Sequence, residues 1–197
     1  MMFSAAFTIG TTLTVATYYA MRDKRVLAHL QAEIAEVWPS TRQECPSWSV
    51  LEKLPYLSAV IKETFRMTGG VLSDIPRITP LDGMTIGGCY LPQGTTVSSS
   101  NYFPNHDRET FDNPDSFYPE RWTRGDKKMQ KWELAFSVGP RQCPAISHTM
   151  APLYICLAHI IRLFELDYPD KGHLQYKDYF VPLISGPHLQ ARIRTRL

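Results

Sequence analysis

Among the four cysteines of the chain, Cys45, Cys89, Cys143 and Cys156, no two stand at the Cys-x-x-Cys spacing and the set shows no regular interval. The pattern argues against a zinc site and against a disulfide framework, and it fits a reducing, cytosol-facing environment. Cys45, Cys89 and Cys156 read as small apolar residues. Cys143 differs through its neighbours. In Phe136-Ser137-Val138-Gly139-Pro140-Arg141-Gln142-Cys143, glycine and proline mark a turn that leads into a helix beginning near the cysteine. Backbone N–H groups at a helix N-terminus and the nearby Arg141 cation both favour thiolate over thiol. A soft thiolate suits iron in a haem, and by chemistry alone the residue could equally be redox-active or purely structural.

Glu63 and Arg66 stand at i and i+3, so they share one face of a helix; a solvated surface pair is the plain reading of that spacing. Thr8 is a hydroxyl inside a helical stretch, where a structural role is the ordinary one. Arg124, Lys127, Lys128 and Lys131 are either solvated loop charges or a basic patch for an acidic partner.

These groups need elements to hold them. At 197 residues, 44% apolar and 12% aromatic, the chain reads as one globular domain with a sizeable core. Its 21 basic and 19 acidic residues nearly balance, so the composition calls for no nucleic-acid partner. From Phe3 through Glu36 the pattern is helical with a break near Arg22 and Asp23, and Val26, Leu27, Leu30, Ile34 and Val37 give the second helix its apolar side. Met2 to Met21 is uncharged and about as long as a bilayer span. Thr8, Thr11, Thr12, Thr14 and Thr17, with Ser4 and Gly10, make it polar for that purpose, and no small-residue cleavage site follows, so a buried helix is expected rather than a membrane anchor or signal peptide.

Leu54 to Met67 is a further helix, with Leu57, Val60, Ile61 and Thr64 on its apolar side and Gly69-Gly70 as its stop. Ile75 to Asn101 breaks into short extended runs separated by Asp82-Gly83, Gly87-Gly88 and Gln93-Gly94, which predicts a small antiparallel sheet. Phe103 to Arg124 is an ordered, aromatic-packed loop. Ile146 to Leu166 is helical, with Pro152 expected to kink or break it. Tyr179 to Val181 and Leu189 to Ile193 predict a hairpin around Ser185-Gly186-Pro187. The fold class is mainly α with a small antiparallel β-sheet.

The segment ending at Cys143 resembles the haem-binding loop of the cytochrome P450 family. That pattern is Phe, two residues, Gly, one residue, Arg, one residue, Cys, one residue, then Gly or Ala, and Phe136, Gly139, Arg141, Cys143 and Ala145 fit every position. Two further family patterns stand upstream in the proper order: Glu63-Thr64-Phe65-Arg66 as the Glu-x-x-Arg of a helix, and Pro119-Glu120-Arg121-Trp122 as the Pro-Glu-Arg loop. The resemblance covers nearly the whole chain. It identifies residues 1–197 as a partial domain of the eukaryotic microsomal type, the C-terminal portion of the cytochrome P450 fold from the end of the oxygen-binding helix to a C-terminal hairpin.

The resemblance implies a heme b cofactor with an axial thiolate from Cys143, and haem propionates hydrogen-bonded by Arg141 and Arg77. It places Phe136 beside the thiolate, gives Gly139 the role of letting the loop backbone approach the sulfur, and joins Arg121 to Glu63 and Arg66 in a buried charge triad. Ser4-Ala5-Ala6-Phe7-Thr8 is similar to the end of the oxygen-binding helix, which makes Thr8 the catalytic threonine. Phe7 stands where the family carries an acid, Ala5 where it carries glycine, and Pro152 where relatives commonly carry glutamate.

For activity, the resemblance implies a haem-thiolate monooxygenase that inserts one oxygen atom from dioxygen into a small apolar substrate, in secondary metabolism. NADPH-cytochrome P450 reductase would supply electrons, at the cytosolic face of the endoplasmic reticulum membrane. Substrate contacts would come from around Val71 to Ile75 and Pro182 to Gly186. Two other expectations compete with this one. A truncated, catalytically inactive remnant would bind haem weakly or not at all, since the distal-pocket helices and an N-terminal anchor have no counterpart here. A small membrane protein would be anchored by Met2 to Met21.

Overall fold

Asp23 divides the N-terminal helical stretch in two. Its extended backbone stops the first helix, and its carboxylate accepts hydrogen bonds from the N–H groups of Arg25 and Val26 at 2.9 and 3.4 Å, capping the second. In the computed structural model these are α1, Met2–Arg22, and α2, Lys24–Val37. The structure describes residues 2–125, 129, 133–167, 174–185 and 190–196, with side chains from residue 6 onward. Lys127, Lys128 and Lys131 of the basic cluster, and Gly186, Pro187 and Leu189 of the expected tail hairpin, lie outside the described residues.

The helices α3, Trp48–Leu51, and α4, Pro55–Thr68, follow. Proline starts α4 where its missing N–H costs nothing. Glu33 of α2 then accepts from the N–H groups of Tyr56 and Leu57, both at 2.8 Å, so a carboxylate sits on the positive end of that helix. Gly69, at φ +66, ends α4 in the left-handed conformation, and its N–H donates to the Phe65 carbonyl at 2.7 Å.

The last long helix, α7, Ile146–Leu163, runs through Pro152 without a break. Proline removes one intrahelical bond, to the carbonyl of His148 on the exposed side. The face that carries Leu153, Tyr154, Leu157, Ala158 and Ile161 is buried and holds the backbone in register. These side chains meet Val26, Leu30 and Ile34 of α2, Leu57, Val60 and Ile61 of α4, and Ala16 and Ala20 of α1 in one apolar core. From Thr12 onward the N-terminal run contributes buried side chains to this core, and α1 packs on α2, α4 and α7. Among the described residues, Ile146–Leu163 is the helix long and apolar enough to cross a membrane, and its inner face is part of that core.

Among the described residues the β-structure is antiparallel, in four two-stranded ladders. β1, Arg77–Ile78, pairs with β4, Thr96–Val97, and encloses the hairpin of β2, Met84–Ile86, with β3, Cys89–Leu91. Two short helices come next, α5, Tyr102–Asn105, and α6, Glu120–Thr123. The tail departs from expectation. β6, Gln175–Tyr179, turns at Phe180 into β7, Val181–Ser185, while β8, Arg192–Thr195, returns to pair with β5, Phe164–Asp167. Phe180 makes the turn at φ +76 with no glycine to announce it, held by its N–H donating to Asp178 at 2.8 Å.

Candidate functional site

Cys143 lies at the end of a tightly folded loop. Ser137 adopts φ +60 and its N–H donates to the Leu134 carbonyl at 2.8 Å; Gly139, at φ +75, opens a single 3-10 turn through Pro140 to Arg141. The Cys143 N–H then donates to the Phe136 carbonyl at 2.9 Å, so the loop closes back on the residue where it began. Helix α7 starts at Ile146, just beyond the cysteine and after Ala145, its N-cap. Phe136 packs edge-to-face on Phe65 of α4, with ring centroids 4.9 Å apart.

This loop forms one wall of a cavity of about 310 Å³. Thr8 and Thr12, one turn apart on α1, form part of another wall. The remaining lining includes Arg77 at the start of β1, with Val71, Ile75 and Asn101. Thr8, Arg77, Phe136, Arg141 and Cys143, scattered from one end of the chain to the other, thus meet around a single space. Gly139 and Ala145 lie in the same loop but outside the lining. Neither arginine has a carboxylate partner among the described residues; Arg77 donates to the neighbouring Pro76 carbonyl, and both side chains are exposed. Phe7, beside Thr8, is exposed as well.

The second constellation is closed. Glu63 is fully buried. Its carboxylate accepts from Arg66 Nε and Nη2 at 3.0 and 2.9 Å, from Arg121 Nε at 3.2 Å, from the indole N–H of Trp122 at 2.8 Å and from the Tyr118 N–H at 2.9 Å. Further guanidinium hydrogens go to carbonyls, Arg66 to Asn105 and Ser116 and Arg121 to Asp112 and Ser116, and Arg66 Nη2 also donates to the Met67 sulfur. Burial pushes the Arg121 guanidinium below its ordinary value, and Glu63 opposes that shift. Such a group fixes α4 against the Pro119–Thr123 turn by charge-assisted bonds that water does not reach.

Four contributors escaped the sequence. Thr12 could have been found from its i+4 relation to Thr8. Asn101 follows three serines and Thr149 lies in an apolar helix, and nothing in either setting marks the residue as part of a site. Trp122 belonged to a quoted motif, yet nothing in its spacing marked its N–H as a ligand of Glu63.

The family profile described as Cytochrome P450 matches residues 1–189. Cytochrome P450 monooxygenase flvC of Aspergillus flavus is 37% identical over 197 residues, covering 94% of this chain and 36% of that protein. Cytochrome P450 monooxygenase claJ of Penicillium crustosum is 36% identical over 151 residues, covering 75% of this chain and 34% of that protein. The chain therefore spans about a third of the length of these curated relatives. In fold, it superposes on the crystal structure of a cytochrome P450, CYP102L1, with a TM-score of 0.83 at 24% identity, covering 96% of this chain and 42% of that one.

Proposed function

This chain belongs to the cytochrome P450 family, and from that premise we propose that it binds heme b through the Cys143 sulfur and forms the thiolate side of a monooxygenase acting on a small apolar organic molecule. The observation that supports this most is the convergence of Cys143, Arg141, Arg77 and Phe136 on one cavity. The donor set suits the group. A soft sulfur for the iron, two guanidinium forks without carboxylate partners for the propionates and aromatic walls for the macrocycle are the chemistry a haem requires. Bound haem supplies the redox chemistry by which one atom of dioxygen enters the substrate.

The chain's own residues then have separable tasks. The closed loop from Phe136 to Cys143 fixes the position of the sulfur. Phe136 and Phe65 exclude water from that side. Arg77 and Arg141 orient the carboxylates of the cofactor. We assign the catalytic threonine role to Thr8, whose Oγ1 would hold a proton on the α1 wall, with Thr12 one turn below. Glu63, Arg66 and Arg121 act at a distance, through the placement of α4. Electrons would come from NADPH-cytochrome P450 reductase at the endoplasmic reticulum membrane. The fungal relatives make a secondary metabolite the substrate class we favour, with residues 1–197 acting as part of one such domain.

The test is a visible spectrum of the haem-reconstituted chain, reduced under carbon monoxide, beside Cys143→Ala. A red-shifted thiolate-type Soret band that the variant lacks is the expected result. Absence of haem uptake, or identical spectra, would overturn the assignment.

A further inference from the structure

We propose that Asn101 is a positioning residue for the thiol loop. Its side-chain amide fastens the end of α4 to the start of that loop, and this sets where the Cys143 sulfur sits relative to the α1 wall. The inference rests on the reading of Cys143 given above and deepens it. Asn101 Nδ2 donates to three carbonyls, those of Gly69 and Val71 beyond the end of α4 at 3.3 and 3.4 Å, and that of Leu134 at 3.3 Å. Two amide hydrogens shared among three acceptors make each bond long and individually weak. Together they tie two segments that have no secondary structure in common.

The tie reaches the cysteine through backbone. The Leu134 carbonyl that accepts from Asn101 also accepts the Ser137 N–H, and this bond closes the turn at which Ser137 adopts positive φ. Phe136, inside that turn, gives its carbonyl to the Cys143 N–H. A shift of Leu134 therefore moves the turn, and the turn moves the sulfur. The two segments already approach as closely as backbone allows: a Cβ on Gly70, at φ +65, would meet the Ala135 carbonyl oxygen at 2.7 Å. A side chain in place of that glycine would push them apart. The Lys62–Glu133 ion pair at 2.7 Å and the Phe65–Phe136 ring contact also join α4 to this loop, but the carbonyls of Gly69, Val71 and Leu134 at the seam itself need a donor from elsewhere. Asn101 supplies it from the loop between β4 and α5, and it lines the cavity itself.

A role in positioning differs from a role in filling space, and Asn101→Asp separates the two. The aspartate has the same shape, but it has no hydrogen to donate and sets a charge against three carbonyls. Hydrogen exchange on the full chain without haem reads the tie directly. Asn101→Ala and Asn101→Asp are expected to raise exchange across residues 134–143 by about tenfold, the effect of losing a net hydrogen bond or so, while α2 stays at its wild-type rate. Asn101→Gln, which keeps the donor on a longer stem, should recover part of the protection. In the haem-loaded chain, the Ala and Asp variants should convert part of the thiolate-type Soret band to the thiol-type band, and the Gln variant less. Wild-type exchange in Asn101→Asp, or an increase spread evenly over α2 and α4, would overturn the inference. Failure of the wild-type chain to take up haem would overturn the reading of Cys143 and leave the exchange result to decide Asn101.

Discussion

The Glu63 cluster and the Cys143 loop solve opposite problems with the same residue types. Around Glu63, two guanidinium groups, an indole and a backbone N–H converge on one carboxylate, and Arg66 and Glu63 are 1% and 0% exposed. Around Cys143, Arg77 and Arg141 line an open cavity and have no carboxylate among the described residues. Polar groups that satisfy one another make a scaffold. Those left facing a space are, in the proposed reading, available to a ligand that enters it. The sharpest way to break this contrast is to compare Glu63→Ala with Cys143→Ala by urea denaturation of the chain without haem. Removing the carboxylate strands two buried guanidinium groups, and about 3–5 kcal/mol of stability should be lost. Cys143→Ala should change stability by less than about 0.5 kcal/mol, because its sulfur lies at a cavity wall. Comparable losses in the two would end the distinction.

A finer cut runs inside the cluster. Trp122→Phe keeps most of the ring and deletes one donor to Glu63 Oε2, which still accepts from Arg66 Nε at 3.0 Å. The expected cost is about 1.5–3 kcal/mol, the worth of a hydrogen bond to a charged group, and it should appear in the denaturation midpoint. A loss as large as that of Glu63→Ala would mean that the indole carries the cluster by packing. Across the cavity, Arg141→Ala should leave stability within about 0.5 kcal/mol of wild type while weakening haem retention, read by titration of the apo chain. An arginine that mattered only for folding would reverse those two results.

The scaffold side was the more legible in sequence. Helical periodicity gave α1, α2 and α4, Gly69 marked the end of α4, and the Asp-Gly and Gly-Gly pairs marked the short strands, because these signals are local and each is set by backbone geometry. Pro152 does not break the helix, since a buried helix face outweighs the loss of one backbone bond that faces outward. The tail misled: Phe180 occupies a position that usually calls for glycine, and its turn is held by Asp178, itself fixed by Ser73 from far away in the chain. The candidate site was legible only as a motif. The spacing of Phe136, Gly139, Arg141 and Cys143 located the loop, but Thr12 and Asn101 act from distant segments with nothing in their neighbours to announce it.

An effect that appears only at high pH bears on how far the closed region extends. Tyr19 of α1 stacks on Phe117, with ring centroids 4.5 Å apart and planes 2° from parallel, just before the Tyr118 backbone that donates to Glu63. Burial is the main cause that pushes its phenol up to about 12, with Tyr176 and Tyr18 adding to the shift. The folded-state value lies above the unfolded one of about 10. The fold therefore favours the neutral phenol, and this contribution is complete below about pH 10 and lost as pH rises toward 12. Tyr19→Phe keeps the stacked ring and removes only the titrating group. The variant should match wild type in urea at about pH 8 and exceed it at about pH 11. A difference that stays constant between those two values would place the Tyr19 hydroxyl in water, and the closed region would then end at Phe117, short of α1.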